Sequence, residues 1–149
     1  MESLHEYSFI IDESKIHIKC DNEKAIRAAV KAIKQHREQL VEFIKKHPDF
    51  LFKLKPVAIY PKAPKIIRLM IRSSKVANVG PMASVAGTLA DIGLEAMLRE
   101  KIKVAIVEDG GEIAVFTEKP IAISIFSGST YLSNKIGFLL KKEDCPIGV

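Results

Sequence analysis

Tryptophan is absent from this chain, tyrosine occurs three times and cysteine twice. No block combines lysine and arginine with interleaved aromatics, so the stacking platform of a single-strand nucleic-acid binder is missing, and no nucleic-acid partner is expected. Cys20 and Cys145 form no Cys-x-x-Cys pair; two such cysteines read as reduced thiols and not as a structural disulfide. The four histidines, His5, His17, His36 and His47, show no metal-ligand spacing of the His-Glu-x-x-His kind. There is no Gly-x-Ser-x-Gly nucleophile elbow. No apolar run reaches the roughly 18 residues that a membrane-spanning helix needs. The opening Met-Glu-Ser-Leu-His-Glu lacks the basic start and apolar block of a signal peptide. The expectation is a cytoplasmic protein with no membrane partner.

What remains is ample for a core. The 149 residues are 48% hydrophobic and 28% charged, which fits one domain over 1–149. Net charge is +5, from 23 basic and 18 acidic residues, mostly lysine spread along the chain. That balance fits a solvated lysine-rich surface first, and a preference for a small anionic ligand second.

Residues 6–12 and 15–20 alternate apolar and polar side chains on either side of Glu13-Ser14, the pattern of a β-hairpin. His17 falls on its polar face. Asp21 reads as the N-cap of a long helix ending near Lys46, because Ile26, Val30, Ile33, Leu40 and Ile44 recur at helical spacing. His47-Pro48 ends that helix, and one more helical turn fits 48–54. The segment 55–64 carries three prolines and reads as an ordered connection with Val57, Ile59 and Tyr60 available to pack. Pro64 opens a short helix over 65–74, and Gly80-Pro81 opens another over 82–99. Strand-like runs follow at 102–107, 113–116, 121–126 and 136–140. Successive strands after helices predict an α+β fold: an antiparallel sheet with two main helices packed on one face.

Two segments can carry chemistry. In 80–91, Pro81 suits a first helical position, and the amides of Met82, Ala83 and Ser84 then lack acceptors inside the helix. Such amides at the positive end of the helix dipole suit a phosphate or carboxylate. Ala83, Ala86, Gly87 and Ala90 form a small-residue stripe, while Ser84, Gly87, Thr88 and Asp91 share one side. Gly87 inside a helix costs about 1 kcal/mol relative to alanine, which points to a close approach. That approach is a ligand's, or simply the packing of a helix on a sheet. The second segment is Asp109-Gly110-Gly111-Glu112, between two apolar strands. Paired glycines serve a tight type I′ hairpin. They also let a flat ligand lie against bare backbone, with Asp109 and Glu112 as partners for ribose hydroxyls or a cation.

Together the two segments resemble a family. Val79-Gly80-Pro81-Met82-Ala83-Ser84-Val85-Ala86-Gly87 followed by Val107-Glu108-Asp109-Gly110-Gly111-Glu112-Ile113 looks like the uncharacterised archaeal and bacterial ApbE-related proteins. Asp109 stands where Asn is usual there, and Glu112 where Asp is usual. More distantly the pair is similar to the FAD:protein FMN transferases, although the lysine usual in their helix segment is absent. That resemblance implies an ApbE-like, T-fold-like architecture. It also implies a flavin or other nucleotide (FAD or FMN) held with Mg²⁺ by Gly80, Met82, Ala83, Ser84, Gly87, Thr88, Asp91, Asp109, Gly110, Gly111 and Glu112. Links of some members to sulfide use offer an alternative, a sulfur-assimilation accessory role in homocysteine synthesis that depends on Cys20 or Cys145. Similar proteins continue past Pro-Ile-Gly-Val, so the reading expects an N-terminal part of a longer protein. On this reading 136–140 is an edge strand, the tail from 143 turns toward the site, and the chain pairs with a second copy or with a missing C-terminal segment.

Overall fold

Alternation at the N-terminus gives the hairpin that it predicts. In the computed structural model, which describes residues 4–128 and 131–149, strands β1 (His5–Ile11) and β2 (Ser14–Cys20) pair antiparallel, with Tyr7 opposite Ile18 and Phe9 opposite Ile16. His17 lies on the polar face, where its Nδ1 is 2.7 Å from the Ser8 hydroxyl. Helix α1 (Glu23–Lys46) follows.

Its cap is not Asp21. Asn22 takes that place, accepting the Lys24 amide at 2.9 Å. Asp21 instead accepts the Lys103 and Val104 amides at 3.1 Å, pinning the entry of a distant strand. Burial raises its carboxyl, but these backbone bonds outweigh that and hold it below the usual carboxylate range. Two adjacent acceptors competed for one cap, and a tertiary partner decided which was free.

After α1 comes a 3₁₀ turn, Pro48–Phe52, and then the proline-rich connection. Tyr60 from that connection packs edge-on against Phe43 and Phe50, at centroid distances of 5.1 and 6.1 Å. The connection is thereby tied to the core, as its apolar content suggests. Helix α2 spans Lys65–Ala77 and closes on Asn78 in the left-handed conformation, at φ 57°. The next helix does not start at Met82. Pro81–Ser84 is a 3₁₀ turn, and α3 runs from Val85 to Met97. At its crossing with α1, a β-carbon on Gly93 would come within 2.9 Å of Ile33 Cδ1, so that methyl would have to shift to admit one.

Strands β3 (Val104–Asp109) and β4 (Glu112–Thr117) form a hairpin around Gly110 and Gly111, both at positive φ. Strands β5 (Ile121–Ser124) and β6 (Gly137–Leu140) pair only with each other, which makes β6 an edge strand as expected. The tail adds a strand that the sequence did not show, β7 (Ile147–Gly148), opposite Val115 and Ala114 of β4. The main sheet is antiparallel in the order β1-β2-β3-β4-β7.

Strand pleat divides the sheet into two faces. Ile16, Ile18, Cys20, Ala105, Val107 and Ala114 are buried in the same cluster as Ile33, Leu40, Leu89 and Ile92 of α1 and α3, so the helices cover one face. Asp109 and Glu112 share that face by register. The back face carries Lys15, His17 and Lys19 on β2 and becomes apolar toward β4, where Val115 is buried. No helix among the described residues is long and apolar enough to cross a membrane.

Candidate functional site

The helix start does two different jobs along its length. At Gly80 the missing side chain serves the protein's own backbone. A β-carbon there would lie 1.7 Å from the Lys53 carbonyl oxygen, inside the chain segment that follows the first 3₁₀ turn. The expected cradle of free amides is also partly spent internally. The Ala83 amide donates to the Gly80 carbonyl at 3.1 Å, and the Val85 amide donates to Met82. The Ser84 hydroxyl is within donating distance of the Pro81 carbonyl at 2.9 Å and the Met70 carbonyl at 3.1 Å. Met82 packs against the core.

One helical turn later the surface opens. Ala83, Ser84, Gly87, Thr88 and Asp91 line a cleft of about 280 Å³, together with Glu112 from the start of β4 and Ser73, Ser74, Ala77 and Val79 from α2 and its exit. Glu112 Oε2 would be 3.7 Å from a β-carbon at position 87, and nothing else comes within 4 Å. Gly87 is therefore not required by helix packing. Its bare backbone forms part of the cleft, with one carboxylate above it. Thr88 is only 4% exposed; its hydroxyl makes no hydrogen bond among the described residues and, since no fully buried side-chain polar atom there lacks a partner, it opens onto solvent. Ser74, buried on the α2 side, donates to the Ile71 carbonyl at 3.1 Å.

The charge in this cleft is acidic. Among the described residues, no lysine, arginine or histidine lines it; Asp91 and Glu112 do. Partial desolvation raises the carboxyl of Asp91, an exposed residue, above the usual carboxylate range. Asp109, at the other end of the hairpin turn, does not reach the cleft. It is 2% exposed and accepts the Ser14 hydroxyl at 3.1 Å. Burial pushes its carboxyl up, the Ser14 bond and the Arg37 charge oppose that, and Glu112 adds to it.

The two glycines of the turn face elsewhere. Gly110 and Gly111 line a groove of about 540 Å³ with Glu108, Ile113, Ile123, Phe126, Phe138 and Val149. The structure thus joins the two sequence segments through Glu112 and Gly87, while Gly110 and Gly111 belong to the groove that the tail reaches. Sequence reasoning missed Ser73 and Ser74. The one available signal was a pair of small polar residues at the end of an otherwise apolar helix face.

Among the described residues, no group of three or more His, Cys, Asp or Glu side chains is placed to hold a metal. The cleft offers two carboxylates, which is what Mg²⁺ uses when waters and ligand phosphates fill its other positions. A thiol carrier needs an accessible thiolate. Cys20 is fully buried, and its thiol is pushed up to about 11, chiefly by burial. Half-buried Cys145 is the other free thiol.

Residues 2–149 match the family described as "AbpE bacteria". Among curated proteins, a UPF0280 protein of Methanococcus vannielii is 41% identical over 133 residues, covering 89% of this chain and 54% of the relative. UPF0280 proteins of Methanocaldococcus jannaschii and Methanosarcina acetivorans are 37% and 33% identical, covering 90% and 95% of this chain and 54% and 55% of their own lengths. The chain spans about half the length of the curated relatives it matches. With the match running over the whole described fold, the chain belongs to the "AbpE bacteria" family.

Proposed function

We propose that the cleft between α3 and the start of β4 binds a nucleotide-type ligand, with FAD or FMN as the first candidates and Mg²⁺ as the bridge to its phosphates. The observation that carries this reading is the meeting of Gly87, Thr88 and Glu112 in one cleft. Bare backbone at Gly87 admits a flat group at van der Waals distance. The unpartnered Thr88 hydroxyl supplies a donor and an acceptor that the fold itself leaves unused.

The acidic lining decides how a phosphate is held. With no basic side chain in the cleft, a bare phosphate beside Asp91 and Glu112 is repelled. A divalent cation would remove that repulsion, with Asp91 and Glu112 as the carboxylates that would hold it. The cation also offsets the desolvation that raises Asp91, since a positive charge nearby favours the ionised carboxylate. Sequence resemblance to the flavin transferases supports a flavin over other nucleotides. The reading concerns binding: no nucleophile stands in the cleft beyond Ser and Thr hydroxyls.

Titration of FAD, FMN and ADP into the protein, followed by flavin fluorescence or calorimetry, tests it. Saturable binding that needs Mg²⁺ and is lost with EDTA is the expected result. No binding of any of the three at millimolar ligand with Mg²⁺ present overturns it.

A further inference from the structure

Exposed apolar side chains occur at several places on this molecule, among them Ile10, Phe52, Leu54 and Val76, and one group of them lies together on the β5–β6 arm. Phe126, Tyr131, Ile136, Phe138 and Leu139 are between 52% and 81% exposed, all within the β5–β6 arm and its loop. Apolar surface gathered in this way marks a contact site. Leu140, at the end of β6, is buried. Its two strands bond only to each other, so each has a free edge of backbone donors and acceptors. A two-stranded sheet by itself is marginal in water.

The arm also forms one wall of the groove described above. Ile123, Phe126 and Phe138 face Ile113 and Val149 of the main sheet's edge across about 540 Å³. Among the described residues, Glu108 is the one charged residue in its lining, which is unfavourable for anionic lipid and neutral toward a peptide. Free strand edges beside apolar walls suit a further β-strand, whose backbone pairs with the edge and whose alternate side chains fill the groove. The relatives carry further polypeptide beside the part that this chain matches. They share this region at 33–41% identity, yet the match covers only 54–55% of their length.

We propose that the groove between the β5–β6 arm and the back of β3–β4 receives an apolar β-strand from the stretch of polypeptide that the longer relatives carry outside the shared region. The proposal is independent of the nucleotide reading, because the groove and the cleft share no lining residue.

Hydrogen exchange followed by mass spectrometry on this chain and on the intact Methanosarcina acetivorans relative tests it. Amides of 121–126 and 136–140 in this chain are expected to exchange at least about 100-fold faster than their counterparts in the intact relative, while α1 and α3 exchange alike in both. Equal exchange in the two proteins overturns the proposal. Light scattering identifies the rival occupants. If this chain is a dimer that Phe126→Ser with Phe138→Ser dissociates, the occupant is a second copy and the proposal fails. If vesicles of phosphatidylglycerol and phosphatidylcholine bind the chain and lose it through the same substitutions, the surface is a lipid contact and the proposal fails. A monomer that ignores vesicles, with the arm protected only in the intact relative, supports it.

Discussion

Gly80 and Gly87 lie on the same turn-and-helix segment and use the freedom of glycine in opposite ways. At Gly80 the space of a side chain is filled by the Lys53 carbonyl, so the residue is a packing requirement of the fold. At Gly87 that space opens into a cleft with only the Glu112 carboxylate beyond it. A sequence motif containing both looks like one ligand loop. The structure divides it into a turn locked by the protein's own backbone and a helix face left open. Function is to be sought where glycine is not needed for packing, because there its loss of helix propensity has no structural return.

That contrast can be broken at either end. Gly80→Ala is expected to have the largest effect. A β-carbon 1.7 Å from a backbone oxygen forces the Pro48–Phe52 turn and α3 apart, and overpacking of this severity removes about 3 kcal/mol or more. Urea denaturation should show it, and an unchanged midpoint would mean that the approach of Lys53 to Gly80 is not as described. Thr88→Val comes next. Because the hydroxyl has no internal partner, stability should change by less than about 0.5 kcal/mol, whereas nucleotide affinity should fall by roughly fivefold, the worth of about one hydrogen bond. A stability loss of several kcal/mol would show that the hydroxyl is used by the fold.

Gly87→Ala sharpens the comparison in the other direction. The new methyl meets only an ordinary contact at 3.7 Å, so the gain in helix propensity should raise stability by about 1 kcal/mol. The smallest effect concerns Asp109. Its carboxyl is raised by burial, so ionisation opposes folding. That penalty is absent at pH below the unfolded-state value of about 3.9, develops as pH rises through the raised native value, and stays at neutral pH. Asp109→Asn, which keeps an acceptor for Ser14, should therefore stabilise the protein at pH 7 and lose that gain near pH 3. Thermal melts at the two pH values check it; an equal effect at both would show that the carboxylate charge is not the cause.

Much of this fold was legible in the sequence because each element repeats its own period. The Tyr7, Phe9 and Ile16, Ile18 alternation fixed the first hairpin, and the Ile26–Ile33–Leu40 spacing fixed α1. Features set by tertiary contact were not legible. Asp21 and Asn22 are both good caps, and only the presence of the Lys103 and Val104 amides assigns Asp21 to the sheet. Pro81 suits an α-helical start and a 3₁₀ turn equally, and the structure holds the latter, beside the close approach of Gly80 to Lys53. Strand β7 is two residues long and has no periodicity to read. In the cleft, the side carrying Ser84, Gly87, Thr88 and Asp91 followed from helical spacing within one segment. The α2 serines did not, because they arrive through helix–helix packing. The assignment of Asp109 beside Glu112 failed to anticipate burial: both lie on the helix face, but Asp109 sits under it, against Ser14.

The central claim is that the open space at Gly87 is where a ligand lies. Titrating FAD with Mg²⁺ into the wild-type protein and into Gly87→Leu tests it most directly, with a thermal melt of each. The β-carbon of a leucine there meets only Glu112, at 3.7 Å, and the rest of its side chain adds apolar bulk at the cleft. The account predicts a melting temperature equal to or above that of the wild type, together with loss of saturable FAD binding. Binding of the same strength in both proteins would contradict it.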